Sequence, residues 1–236
     1  MKILFKPQTE WLPPEEFKDL SSYDEIAIDL ETKDPNLKTM GSGSVTGQAE
    51  IVGIALAVKG WSAYYPIAHE GGGNIDRKKV MDYFRTILNY PSTKIFHNAM
   101  YDVCFIRAAG LKINGTIVDT MIAGSLVNEN RFRYDLGSLG RDYLGKGKNE
   151  AVLLETAKQW GIDPKSEMYK LPAMYVGEYA ERDAELTLEL WQEMKKQMLA
   201  EEVTSIFELE TELFPCLVDM RFLGVRVDVE AANQLK

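Results

Sequence analysis

The 236-residue sequence predicts an α/β protein, a mixed five-stranded sheet flanked by helices with a helical C-terminal half. Three observations carry that reading. Apolar runs of strand length fall at 25–31, 51–58, 61–67, 94–97 and 116–119. Helical spacing intervenes first at 76–88 and dominates beyond residue 120. Only Lys59-Gly60 separates the second run from the third, as a hairpin requires, whereas the later strands are joined through helices, as parallel crossovers require.

In chain order, the Trp11-Leu12-Pro13-Pro14 turn precedes 15–20, which the pattern allows as a short surface helix. The strand 25–31 alternates, with Ile26, Ile28 and Leu30 on one face and Asp29 and Glu31 on the other. Residues 32–50, with Pro35 and Gly41-Ser42-Gly43-Ser44, read as a loop beside those carboxylates. After the hairpin, Val80, Tyr83, Phe84 and Ile87 mark a helix, and 94–97 a strand. A helix at 98–109 is expected to take Asn98 as its N-cap, and Asp119 is placed to cap the helix 120–127. Helices at 135–145, 151–160 and 176–200 follow, and in the last of these Asp183 falls on the apolar stripe of Leu186, Leu190 and Met194. A helix near 208–220 and a turn at 224–228 close the sequence.

Composition restricts the chemistry. At 45% hydrophobic, with no apolar run of bilayer length and no apolar segment of a secretory signal in residues 1–7, the chain is expected to have no membrane association and a cytoplasmic address. Cys104 and Cys216 are the only cysteines, and His69 and His97 the only histidines, so a metal would be held by oxygen. A net charge of −9 argues against gripping long duplexes through phosphates, though not against holding a few nucleotides of one strand.

Asp29 and Glu31 crowd two negative charges on one strand face, and a divalent cation is a strong physical reason to hold them there. The spacing alone is weak, because it recurs at Asp183/Glu185 and Asp228/Glu230 and a strand can end in solvated acids. Asn98 and Asp102 share a helix face four residues apart, as do Tyr179 and Asp183. No other Asn and none of the other tyrosines has Asp four residues on. Taken singly, Asn98 reads as a cap, Asp102 as a solvated residue and Tyr179 as a core aromatic. Their order and placement give them joint weight. His97 ends a strand and reads as packing, outside the site.

Asp29-Leu30-Glu31, Asn98-Ala99-Met100-Tyr101-Asp102 and Tyr179-Ala180-Glu181-Arg182-Asp183 together resemble, in order, the three motifs of the 3′→5′ proofreading exonuclease domain of family A (phage-type) DNA polymerases, DEDD type, tyrosine subclass. Val118-Asp119-Thr120-Met121 and Asp135-Leu136-Gly137-Ser138-Leu139 are similar to its connecting text. The resemblance implies a ribonuclease-H-like fold holding two Mg²⁺ or Mn²⁺ ions. Asp29 would bridge both, Glu31 and Asp183 would complete one site, and Asp102 would hold the second mainly through water. Tyr179 and Glu31 would orient the attacking water, and Asn98 is a candidate contact to the substrate strand. The implied activity is release of nucleoside 5′-monophosphates from a single-stranded or frayed DNA 3′ end.

The resemblance divides the chain into an exonuclease domain, 1–204, and the start of a polymerase-like region, 205–236. A polymerase domain in cis or in trans is the implied partner. With no fingers, palm or thumb following, polymerase activity is expected to be absent. Two alternatives remain at this point. One is an RNA 3′→5′ exonuclease with the same motifs, and the other a catalytically idle structural or DNA-binding module of a replication protein.

Overall fold

The computed structural model describes residues 9–235, so residues 1–7, read above for a signal segment, lie outside the described residues. The elements run β1 (Glu25–Lys33), α1 (Leu37–Met40), β2 (Glu50–Val58), β3 (Trp61–Pro66), α2 (Arg77–Asn89), β4 (Thr93–Phe96) and α3 (Ala99–Ala108). They continue β5 (Ile117–Asp119), α4 (Thr120–Val127), α5 (Leu136–Leu144), α6 (Ala151–Trp160), α7 (Gly177–Ala200), α8 (Thr204–Leu223) and α9 (Val229–Gln234). The sheet order is β3-β2-β1-β4-β5. β1 pairs antiparallel with β2 and β2 with β3, while β4 and β5 continue the sheet in parallel. This is the mixed five-stranded sheet that the apolar runs predict.

The alternation in β1 divides the core. Ile26, Ile28 and Leu30 enter a cluster with Phe84 of α2, Val103 of α3, and Phe214 and Val218 of α8. The opposite face is made of small residues: Ala27 pairs with Ala57, Asp29 with Ala55, and Glu31 with Gly53. With so little side chain between, α7 lies close over β1, β2 and β3, with Ala180, Ala184, Leu186 and Leu190 buried. That small-residue floor sets the height at which an acid on α7 meets acids on β1.

Gly53 is part of the floor for a packing reason. A Cβ there would lie 2.0 Å from the hydroxyl of Tyr64, whose side chain is fully buried. Overpacking of this kind costs about 2 kcal/mol. Gly53→Ala should therefore lower the melting temperature by roughly 4–8 °C in a chain of this size, a shift that calorimetry reads directly.

Two details depart from expectation. Residues 15–20 form no helix. The carbonyls of Glu16 and Lys18 accept instead from the Tyr65 and Tyr83 hydroxyls at 3.1 and 2.7 Å, and Phe17 stacks on Tyr65. Residues 32–50 are not all loop, because β1 runs on to Lys33 and α1 forms a single turn. The β1–β2 register also shifts between Glu31 and Thr32. Such irregularities turn a strand locally, here immediately after the second carboxylate.

Candidate active site

The end of β1, the start of α3 and the first turns of α7 meet in one cleft of about 1000 Å³, which Asp29, Glu31, Asp102, Tyr179, Asp183 and Asn98 all line. Each is delivered by a local rule. The two-residue period of β1 sends Asp29 and Glu31 to the α7 face, and α7 buries Asp183 to 2% exposure with Tyr179 one turn earlier. Asp102, at 5% exposure, accepts a hydrogen bond from the Leu30 N–H at 2.9 Å. The α3 acid is thereby fixed to the residue between the two β1 acids.

Asn98 corrects one expectation. Its side chain makes no capping bond, and its backbone is left-handed (φ 63°, ψ 52°). Asp119 does the capping: its carboxylate accepts from the N–H groups of Asn98 at 2.9 Å and Ala99 at 2.7 Å, and also from Met121 at 2.8 Å. One aspartate thus secures the starts of α3 and α4. The Asn98 amide is left exposed in the cleft.

The acids are held where they resist ionisation. Burial, with the negative charge of Asp183 adding to it, pushes Asp29 up to about 7, and nearby Lys148 opposes the shift. Burial followed by repulsion from Asp29 raises Glu31 and Asp102 well above the usual carboxylate range. Asp183 is also raised, because burial outweighs its pairing with Lys148. Asp29 and Glu31 still keep part of their surface open to the cleft, although protein encloses them on the remaining sides. Such a cluster favours anything that brings positive charge.

Lys148, which sequence reasoning missed, brings some. From the segment between α5 and α6 its Nζ donates to Asp183 Oδ2 at 2.5 Å and to the Tyr179 hydroxyl at 3.3 Å. Burial pulls its pKa down, but Asp183, Asp29 and Glu31 more than reverse that, so it stays charged. Arg133, Arg141 and Lys165 add exposed positive charge along the same cleft. Loop residues carry no periodicity, so the one signal for Lys148 was the Gly145-Lys146-Gly147-Lys148 run in an acidic chain. His97 also lines the cleft. Burial lowers it to about 4, leaving a neutral ring whose Nδ1 is 2.8 Å from the Thr120 hydroxyl.

The donor set fits a hard cation in kind: carboxylate oxygens, no thiol, and an Asp183 Oδ1 that is buried without a hydrogen-bond partner. Among the described residues, no group of three or more His, Cys, Asp or Glu side chains is closed enough to hold an ion as it stands. Lys148 supplies the compensating charge at Asp183 in this arrangement.

Comparison with known proteins gives the geometry its family. A 3′–5′ exonuclease domain family, that of family A DNA polymerases, matches residues 6–199. The DNA-directed DNA polymerase of Pseudomonas phage M6 is 32% identical over 97% of this chain and 35% of its own length. The chain thus spans about a third of the length of that relative. Among solved structures, the POL domain of Pol1 from M. smegmatis superposes with a TM-score of 0.63 at 16% identity, over 91% of this chain and 31% of that one. Brucella melitensis NrnC with bound Mg²⁺ superposes with a TM-score of 0.62 at 18% identity, over 87% and 89%. The fold is that of ribonuclease-H-like 3′–5′ exonucleases, and the chain belongs to the 3′–5′ exonuclease domain family of family A DNA polymerases.

Proposed function

We infer that this exonuclease domain hydrolyses the terminal phosphodiester of a single-stranded or frayed DNA 3′ end, releasing nucleoside 5′-monophosphates one at a time. The observation that carries the reading is the convergence of Asp29, Glu31, Asp102 and Asp183 from three elements into one cleft, with every one of them pushed toward neutrality. An idle fold gains nothing from that crowding. These four acids are assigned as ligands of two Mg²⁺ or Mn²⁺ ions, which when bound would activate water and offset the charge of the leaving oxygen.

The remaining work falls to the chain itself. Tyr179 and Glu31 orient the attacking water, and the tyrosine does so as a neutral hydroxyl, since burial and then Asp183 raise it well above its usual range. Lys148, within hydrogen-bond reach of both Tyr179 and Asp183, holds that hydroxyl in place. Asn98 presents its amide to the strand. Water adds to phosphorus, the bond from phosphorus to the 3′ oxygen breaks, and that oxygen leaves with a proton as the new 3′ hydroxyl. Frayed ends are preferred because their stacking and pairing are already lost. The 1–204 and 205–236 division is retained as part of this reading, with a polymerase region in cis or in trans as the partner. Among the described residues no helix is long and apolar enough to cross a membrane.

The test is a 5′-labelled DNA strand, single or as a mismatched primer end, incubated with Mg²⁺ or EDTA beside an RNA strand of the same sequence. A metal-dependent ladder on DNA that disappears in Asp29→Ala is the expected result. Shortening confined to RNA would replace the substrate. No shortening of either by folded protein would remove the free-standing nuclease.

A further inference from the structure

The loop between α4 and α5 carries Arg131-Phe132-Arg133-Tyr134, of which Phe132 alone serves neither the packing of the fold nor the lining of the cleft. Phe132 is 105% exposed, whereas the next most exposed Phe or Trp among the described residues, Trp160, is 39% exposed. An isolated apolar side chain on a surface is ordinary. Two further observations make this one informative.

The loop that displays it is fastened. The Tyr134 hydroxyl donates to the Asn128 carbonyl at 2.8 Å, and Asn128 Oδ1 accepts from the Asn130 N–H at 3.1 Å. Arg131 is tied to Asp142, donates to the Arg133 carbonyl at 3.4 Å and lies over the Tyr143 ring. The phenyl ring therefore projects from a braced turn, at little further entropic cost for fixing the loop on contact. The position is the second observation. The next two residues, Arg133 and Tyr134, both line the cleft that holds the four acids, and Arg133 is exposed there.

A flat apolar ring beside a free guanidinium, at the mouth of a phosphodiester-cleaving cleft, matches one chemistry closely: an unpaired nucleobase with its phosphate. Stacking needs a π-face that a base in duplex has already committed to its neighbours, and the arginine supplies charge without reading sequence. We propose that Phe132 is a stacking platform for an unpaired base of the strand entering the cleft, with Arg133 beside it on the backbone phosphate. It deepens the exonuclease reading on which it rests. The platform would make single-strand capture tolerant of sequence and selective against paired ends.

The experiment separates the two claims. Binding is measured by anisotropy on a short DNA strand with phosphorothioate 3′ linkages, in Mg²⁺, with 2-aminopurine placed upstream of the terminus as a stacking reporter. Phe132→Ala should weaken single-strand binding roughly tenfold and remove the fluorescence change, Phe132→Trp should restore both, and binding of a blunt duplex should be the same in all three. Equal single-strand affinity in wild type and Phe132→Ala, or no single-strand binding by wild type, would overturn the platform. Shortening of an unmodified strand by the wild-type protein reports on the exonuclease reading separately, so either claim can fail while the other stands.

Discussion

Asp29→Asn should abolish metal-dependent strand shortening, a loss on the order of a thousandfold, and at the same time make the metal-free protein more stable. The two effects share one cause. Asp29 is raised from 3.8 to about 7 by burial and by the charge of Asp183. Between those values the folded state keeps a proton that the unfolded state has released, so Asp29 costs the metal-free wild type stability as pH rises from about 4 to about 7, and its own contribution grows no further above that. Asparagine removes the charge and with it the penalty. The variant's advantage should be absent near pH 4, grow up to pH 7 and level off at about 2 kcal/mol, discounted from the full shift because the site is partly open and its acids titrate together. Melting temperatures at pH 8 should rise by roughly 4–8 °C. Added Mn²⁺ should stabilise the wild type and leave Asp29→Asn nearly unmoved, since only a native state that binds the ion gains from it. Equal Mn²⁺ shifts in the two proteins would remove Asp29 from the ligand set.

What could be read in the sequence followed from periodicity. The period of two placed Asp29 and Glu31 on one face of β1, the helical period placed Asp183 on the buried stripe of α7, and the five apolar runs gave the strands in order. The remainder depended on contacts between distant segments. Residues 15–20 stay irregular because tyrosines from β3 and α2 take their carbonyls. Asn98 looks like a cap by residue type, yet Asp119, 21 residues on, reaches its N–H first. The approach of α7 depends on which small residues β1 and β2 bring opposite each other, and register is set by the assembled sheet. Lys148 is 35 residues from Asp183, and no local pattern announces their pairing.

That pairing carries the second large effect. Lys148→Met should destabilise the metal-free protein at pH 8 by about 3 kcal/mol, because removing one partner of a buried pair leaves the other charge uncompensated. Asp183 is 3% exposed in its side chain, and its other oxygen already lacks a partner, so nothing in the fold replaces the lysine. The comparison that isolates the pair is a double-mutant cycle with Asp183→Asn. Asp183→Asn alone leaves Lys148 near Asp29 and Glu31, which still support its charge, so its cost should be smaller. In the double variant both charges are gone, and most of the loss caused by Lys148→Met should be recovered. Mn²⁺ should rescue Lys148→Met but not the double variant, since an ion can neutralise the abandoned aspartate only where a carboxylate remains to bind it. Additive losses across the cycle would mean that Lys148 stabilises the fold through its packing over the Tyr179 ring rather than through charge. A coupling of several kcal/mol would instead identify a lysine that holds the carboxylate cluster together in the absence of metal, and would explain how a chain with four crowded acids folds before any ion arrives.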